Sequence, residues 1–513
     1  MDKAKLETIT IRTALLALAI GLFALAMQAY VMGALVCLLG VVAFVFGLFA
    51  TPSPLFNLPA VNAPKSNVVP ALIVIAVVII ALIIPMCLNP IWNGDVHTHR
   101  NQYELLARAF AQGRLDLGYA VDPDLVALDN PYDPDARVEA GAYFHWDSAF
   151  YDGKYYMYFG VVPVVILYLP FYLITGTDLV SYHGTQVFTA AYVIGLYLLL
   201  RLIRNRFFPR VRNTELLFLF AGLAIISSWY FAEAPALYCT AISSGVCMEV
   251  FSLYFFLRAV FVDKGQNRQL ALAALGSLFG ALAIGCRPTV AIANIMVAPL
   301  LVHYLRQNKI TPAFVAKIVL AALPYVIIGA ALLWYNQVRF GSLLEFGQSY
   351  QLTVADQHQY GDFFQRLIES NMLFQLIKNF VWIRNEYSFP GIFLEYFLLL
   401  PALAIFVKPV RAELKRQHFF WPAVGMLVTV LVIAASQTIA SPYLLERYKS
   451  DLLWLLCIVS FIGCCGWLSV CSPKQRQVSV HALRILSVYS ALSCIILFLV
   501  PNDLNLTSYF LGL

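Results

Sequence analysis

The stretch NPIWNGDVHTHRNQYELLARAFAQGRLDL, residues 89 to 117, places acids, histidines and arginines directly after about 19 apolar residues. Asp95 follows Leu88 by seven positions. An acid so close to the end of an apolar run lies at a membrane interface, where it can deprotonate or orient an acceptor hydroxyl. A solvated loop carboxylate is the competing reading. In an extended strand Asp95, His97 and His99 point to one side, so the three could ligate a divalent metal, although no fourth ligand adjoins them.

Three other stretches carry residues suited to chemistry. In AIGCRPTVAI, Arg287 stands alone between two apolar runs. A charge there is costly without a partner; a phosphate gripped in the guanidinium fork and an acid such as Glu233 are both candidates. Arg447 and Lys449 in LLERYKSDLL occupy another helix end and suit either phosphate binding or headgroup anchoring. In YFHWDSAFYDGKYYMYFG, the acids Asp147 and Asp152 alternate with Trp146, Tyr155 and Tyr156. Aromatic faces beside hydrogen-bonding acids suit sugar rings, and aromatics also form the belts at membrane surfaces. The loop YNQVRFGSLLEFGQSYQLT, 335 to 353, adds Arg339 and Glu345 as parts of an acceptor pocket or of a lid.

These residues must be positioned by a membrane-embedded bundle. The 513-residue chain is 61% hydrophobic and only 12% charged, about half the charged share of soluble domains. The expected architecture is an all-α polytopic membrane protein with about 13 spans: 13 to 31, 32 to 50, 70 to 88, 184 to 202, 214 to 231, 241 to 262, 269 to 286, 289 to 305, 313 to 335, 391 to 407, 418 to 436, 451 to 470 and 482 to 500. The net charge of +6 comes from basic clusters beside hydrophobic ends, so it reads as topology and not as a nucleic-acid footprint. The apolar run at 158 to 176 contains Pro163 and Pro170. Treated as a surface or re-entrant helix, it leaves the basic joints at 201 to 213, Lys264 with Arg268, Arg306 with Lys309, and 408 to 416 all on the inner side with the N-terminus.

The ten cysteines lie in or at the ends of apolar runs without CxxC or zinc spacing, so disulfides and a structural metal are not expected. Basic residues before the first apolar run imitate a signal peptide, but hydrophobicity continues to about residue 50, which favours a retained helical hairpin. The expected organisation is a hairpin and cytoplasmic joint at 1 to 69, a transmembrane module at 70 to 335 with its external loop at 89 to 183, a second external loop at 336 to 390, and C-terminal helices at 391 to 513. Gly-rich phosphate loops, GxSxG and HExxH are absent from the sequence, leaving a cytosolic nucleotide-driven reaction without support.

Together, Asp95 leading into YELLARAFAQGRL, the proline-containing YFGVVPVVILYLPFYLITG, GCRPT, RFGSLLEFGQSYQL and ERYKSDLLWLL resemble the GT-C superfamily of integral membrane glycosyltransferases, in a bacterial branch described as family 39-type. The resemblance covers roughly residues 70 to 500. It implies a polyprenyl-phosphate sugar donor and a cell-envelope glycan, lipid or protein acceptor, joined with inversion on the extracytoplasmic face of the cell membrane. Asp95 would then be the base or the acid that orients the acceptor, with Arg287 or Arg447, and Lys449 beside it, at the donor phosphate. At Asp95 itself the sequence departs from the paired Asp-Glu and the DxD of many relatives, since Val96 and His97 follow it, so metal use stays open. The same inventory would serve a lipid-linked saccharide flippase or carrier, a surface-polysaccharide polymerase or ligase, or a scaffold with an outer cap.

Overall fold

The computed structural model describes residues 68–88, 101–233, 235, 237–358, 372–381, 391–440 and 446–499. Asp95, His97 and His99 lie outside them, as do the expected spans at 13 to 31 and 32 to 50.

In lipid only a helix satisfies all backbone polar groups within a single segment, and the long apolar runs are helical accordingly. Helix α1, Val68–Leu88, is followed by a polar region containing α2, Gln102–Ala111, and α3, Pro134–Ala140. A hairpin of β1, Ala149–Tyr151, and β2, Lys154–Tyr156, comes next, and then a π-helical turn, Val164–Tyr168, that runs into α4, Leu169–Thr175. The bundle continues with α5, Ser181–Phe207, α6, Asn213–Glu233, α7, Leu237–Leu257, α8, Gln266–Ile284, α9, Val297–Gln307, and α10, Pro312–Phe340. After α11, Met372–Val381, the chain forms a 3₁₀ helix, Phe397–Phe406, then α12, Lys408–Arg416, α13, Phe420–Ala440, α14, Glu446–Val470, and α15, Pro473–Leu499.

Nine of the described helical segments are long and apolar enough to cross a membrane, and the protein is an all-α polytopic membrane protein. Two expected spans depart from that form. Residues 391 to 407 make a four-residue helix and a ten-residue 3₁₀ helix, because Pro401 removes a backbone donor from the middle of the run. At about 2.0 Å per residue, the 3₁₀ stretch covers only about 20 Å. The span expected at 482 to 500 lies within α15, whose first half carries Lys474, Arg476, His481 and Arg484. The proline-containing run at 158 to 176 is helical over Val164–Thr175 only, about 18 Å and too short to cross.

The described parts of the two long polar regions pack together as one cap. The peptide N–H of Phe150 donates to the Tyr350 carbonyl at 2.9 Å and that of Leu352 to the Ser148 carbonyl at 3.0 Å, so residues 350–352 lie as a partner against β1. Buried Arg137 ties α3 to the same segment by donating to the carbonyl oxygens of Pro131 and Thr353 at 2.8 and 2.6 Å. The cap meets the bundle where the Val162 N–H donates to the Gly285 carbonyl at 2.9 Å. Gly160 lies at this seam, where a β-carbon would collide with the carbonyl oxygens of Gly285 and Cys286. The basic joints gather at the other end of the bundle: α5 runs from Ser181 under the cap to Arg204 and Arg206.

Candidate functional site

Proline restricts the residue before it to extended backbone, and Arg287, preceding Pro288, has φ −158° and ψ 109°. This ends α8 and aims the Arg287 side chain at the first turns of α14. There Asp451, fully buried, accepts from Arg287 Nε at 2.8 Å and from Thr289 Oγ1 at 2.8 Å, with Gln437 as a third donor. The sequence alternative of Glu233 as the partner of Arg287 is thus replaced by Asp451, which is separated from it by 164 positions. Arg287 Nε is engaged, while its two amino groups make no hydrogen bond among the described residues.

Arg447 lies one helical turn before Asp451. Its guanidinium rests over the rings of Tyr238 and Tyr448, 4.9 and 5.1 Å from their centroids, and its Nε is buried without a partner. It has no carboxylate partner among the described residues. Arg287 thus has a saturated carboxylate beside it, while Arg447 is packed on aromatic faces.

Tyr158 of the cap lies within electrostatic reach of Asp147 and of both arginines. Burial pushes its phenol well above the ordinary value, nearby Asp147 pushes the same way, and Arg287 and Arg447 pull against them. Asp147 is 5% exposed and has φ 53°, a left-handed conformation that costs an L-residue about 1–2 kcal/mol. Three contacts hold it there: its N–H donates to the Leu352 carbonyl at 3.0 Å, its carboxylate accepts from Gln351 Nε2 at 2.8 Å, and its carbonyl accepts from Gln102 Nε2 at 3.0 Å. Gln102 is the first residue of α2, so this bond ties α2 to Asp147.

The remaining residues proposed from sequence are placed differently. Lys449 is buried and donates to Glu395 at 2.7 Å, with both side chains 2% exposed, pairing α14 with the four-residue helix Ile392–Glu395. Asp152 and Gly153 have φ 49° and 66° and form the two-residue turn between β1 and β2, as Asp-Gly does in type I′ hairpins. Tyr155 and Tyr156 are buried in the cap, Tyr156 with its ring against Phe340. Trp146 is 46% exposed on the cap surface. Arg339 is buried between the rings of Tyr335 and Phe340 and donates to the Met157 carbonyl at 2.7 Å, joining α10 to the cap. Glu345 accepts from the Gly347 N–H at 2.6 Å and shapes its own turn.

Two buried acids escaped the sequence reading. Glu104 of α2 accepts from the Ser181 N–H at the start of α5, at 2.5 Å, and burial raises its pKa to about 8. Its position in the amphipathic spacing of YELLARAFAQG was the available signal. Glu249, fully buried within α7, accepts from Asn294 Nδ2 at 2.9 Å, and Asn294 in turn accepts from Tyr325. Among the described residues no group of three His, Cys, Asp or Glu could hold a metal, and the sequence candidates Asp95, His97 and His99 lie outside those residues.

No protein-family model and no curated protein sequence matches this one. Among solved structures, it is similar to the archaeal oligosaccharyltransferase AglB from Archaeoglobus fulgidus in complex with an inhibitory peptide and a dolichol-phosphate, with TM-score 0.44 and 12% identity over 83% of this chain and 55% of that one. The apo form of the A. fulgidus oligosaccharyltransferase gives TM-score 0.43 and 11% identity over 82% and 56% of the two chains. The form tethered to an acceptor peptide containing the NVT sequon gives TM-score 0.43 and 12% identity over 83% and 54%. The chain thus spans little more than half the length of the solved proteins to which it is similar.

Proposed function

We propose that the chain is a membrane glycosyltransferase of the GT-C type, moving a sugar from a polyprenyl-phosphate donor to a cell-envelope glycan, lipid or protein. The observation that supports this reading is Arg447, a cation with its Nε buried and no carboxylate partner among the described residues, one helical turn from the Arg287–Asp451 pair beneath a polar cap. In the reaction an acceptor hydroxyl gives its proton to a carboxylate, and its oxygen forms the new bond to the anomeric carbon. The bond from that carbon to the phosphate oxygen breaks, and the polyprenyl phosphate leaves with the electron pair. The charge developing on phosphate is met by Arg447 and the amino groups of Arg287. Asp95 is the proposed base, and Asp147 is the residue proposed to orient the acceptor.

The capped end is assigned to the extracytoplasmic side of the cell membrane, because the basic joints collect at the other end, as the positive-inside rule requires. The N-terminus is then cytoplasmic and the C-terminus extracytoplasmic. The test is transfer of labelled sugar from a polyprenyl-phosphate donor to cell-envelope acceptors by purified protein. Activity lost in Asp95→Asn and Asp147→Asn, with both variants folded, supports the reading. Full activity in both overturns the site.

A second reading, a carrier of lipid-linked saccharide, draws on Glu249, because an ionisable group inside a bundle marks substrate or ion paths by default. Movement of a labelled lipid-linked sugar across vesicles, abolished by Glu249→Gln, would favour it.

A further inference from the structure

At the end of the bundle opposite the cap, the last turns of α9, the turn after α12 and the start of α13 enclose a cleft with about 1980 Å³ of open space. His303, Arg306, Lys415 and His418 border it, and its wall continues through Val302, Trp421 and Val428. A second cavity of about 550 Å³ shares His303 and His418 and is bordered by Arg206 and Lys264.

The cations at this mouth are not consumed by acids. Asp263, on the smaller cavity, is held by Arg258 and Arg268 at 2.8 and 2.7 Å, and Glu413 by Arg416 at 2.6 Å. Arg306, Lys415 and Lys264 have no carboxylate partner among the described residues, and Arg206 spends its Nε on the Phe261 carbonyl at 2.9 Å. The apolar wall opens sideways, with Trp421 65% and Val428 47% exposed along α13. A cationic mouth above an apolar wall facing the bilayer matches a phosphate carried on acyl chains, whereas a free phosphate would leave that wall unused.

We propose that this cleft binds one anionic phospholipid, its phosphate between Arg306 and Lys415 and its chains along Val302 and Val428. The lipid bridges α9 and α13 from the side away from the cap, and the site is independent of the glycosyltransfer reading.

The test is native mass spectrometry of the full chain released from equimolar phosphatidylglycerol and phosphatidylcholine. The wild type should retain one phosphatidylglycerol in preference to phosphatidylcholine. The Arg306→Gln and Lys415→Gln changes should each weaken retention about fivefold. Val302→Trp should block the cleft by bulk, and Lys309→Gln, a charge at the same end outside the cleft, should change nothing. Equal retention of both lipids, or undiminished phosphatidylglycerol in the Arg306→Gln/Lys415→Gln variant, overturns the proposal. Displacement of the phospholipid by millimolar inorganic phosphate shows a headgroup-only anion site and overturns it equally.

Discussion

Of Arg287 and Arg447, only Arg287 has a carboxylate partner among the described residues. Removing Asp451 as Asp451→Ala leaves Arg287 desolvated without its counter-ion and should cost about 3–5 kcal/mol, read as a fall in thermal midpoint in detergent. Arg447→Gln should leave that midpoint nearly unchanged while raising the KM for a polyprenyl-phosphate donor at least tenfold, about the worth of a charge-assisted hydrogen bond. Glu104 makes a different forecast. Its folded pKa of about 8 exceeds the ordinary 4.5, so between those values the folded chain keeps a proton that the unfolded chain has lost. Stability should therefore decline as pH rises from 4.5 to 8, by at most about 1.4 kcal/mol per pH unit, and level off above. Glu104→Gln should flatten that slope in pH-resolved melting curves.

Among the elements, the cap was the least legible part. Apolar runs announce membrane helices because length and hydropathy alone decide them, and the ends of most described helices fall within a few residues of the expected spans. The Asp152-Gly153 turn was also open to reading, since both positions require positive φ. What composition conceals is pairing: nothing local marks Gln351 as the residue that holds Asp147, or 350–352 as the partner of β1. The same holds for Glu395, whose claim on Lys449 crosses 54 positions. At the seam, Gly160→Ala must displace the backbone at Gly285 and Cys286. It should destabilise the attachment of the cap by about 1–3 kcal/mol, seen as faster hydrogen exchange in residues 147–156 with the bundle's exchange unchanged.

For the whole molecule, the placement of basic joints at one end and cap at the other gives an experiment on sidedness. In a cysteine-free background of intact cells, Tyr143→Cys on the cap should react with a membrane-impermeant maleimide, and Lys309→Cys should react only after permeabilisation. The reverse pattern would invert the topology and remove the extracytoplasmic assignment. The clustering of basic joints at the ends of apolar runs was legible in the sequence, residue by residue. The chemistry at the site was less so, because Asp451 stood in plain view beside Arg447 while its true partner, Arg287, was brought to it only by the turn before Pro288.

The stitching of 350–352 onto β1 also sets an order of assembly during synthesis. Residues 147–156 leave the ribosome about 200 positions ahead of the strand that completes them, with the helices from α5 to α10 inserted in between. Until α10 is threaded and its far end emerges, the Ser148 carbonyl faces water and Asp147 lacks Gln351. A nascent chain halted before residue 345 therefore carries the described helices from α1 to α10 and an open cap, so the cap closes only late in translation.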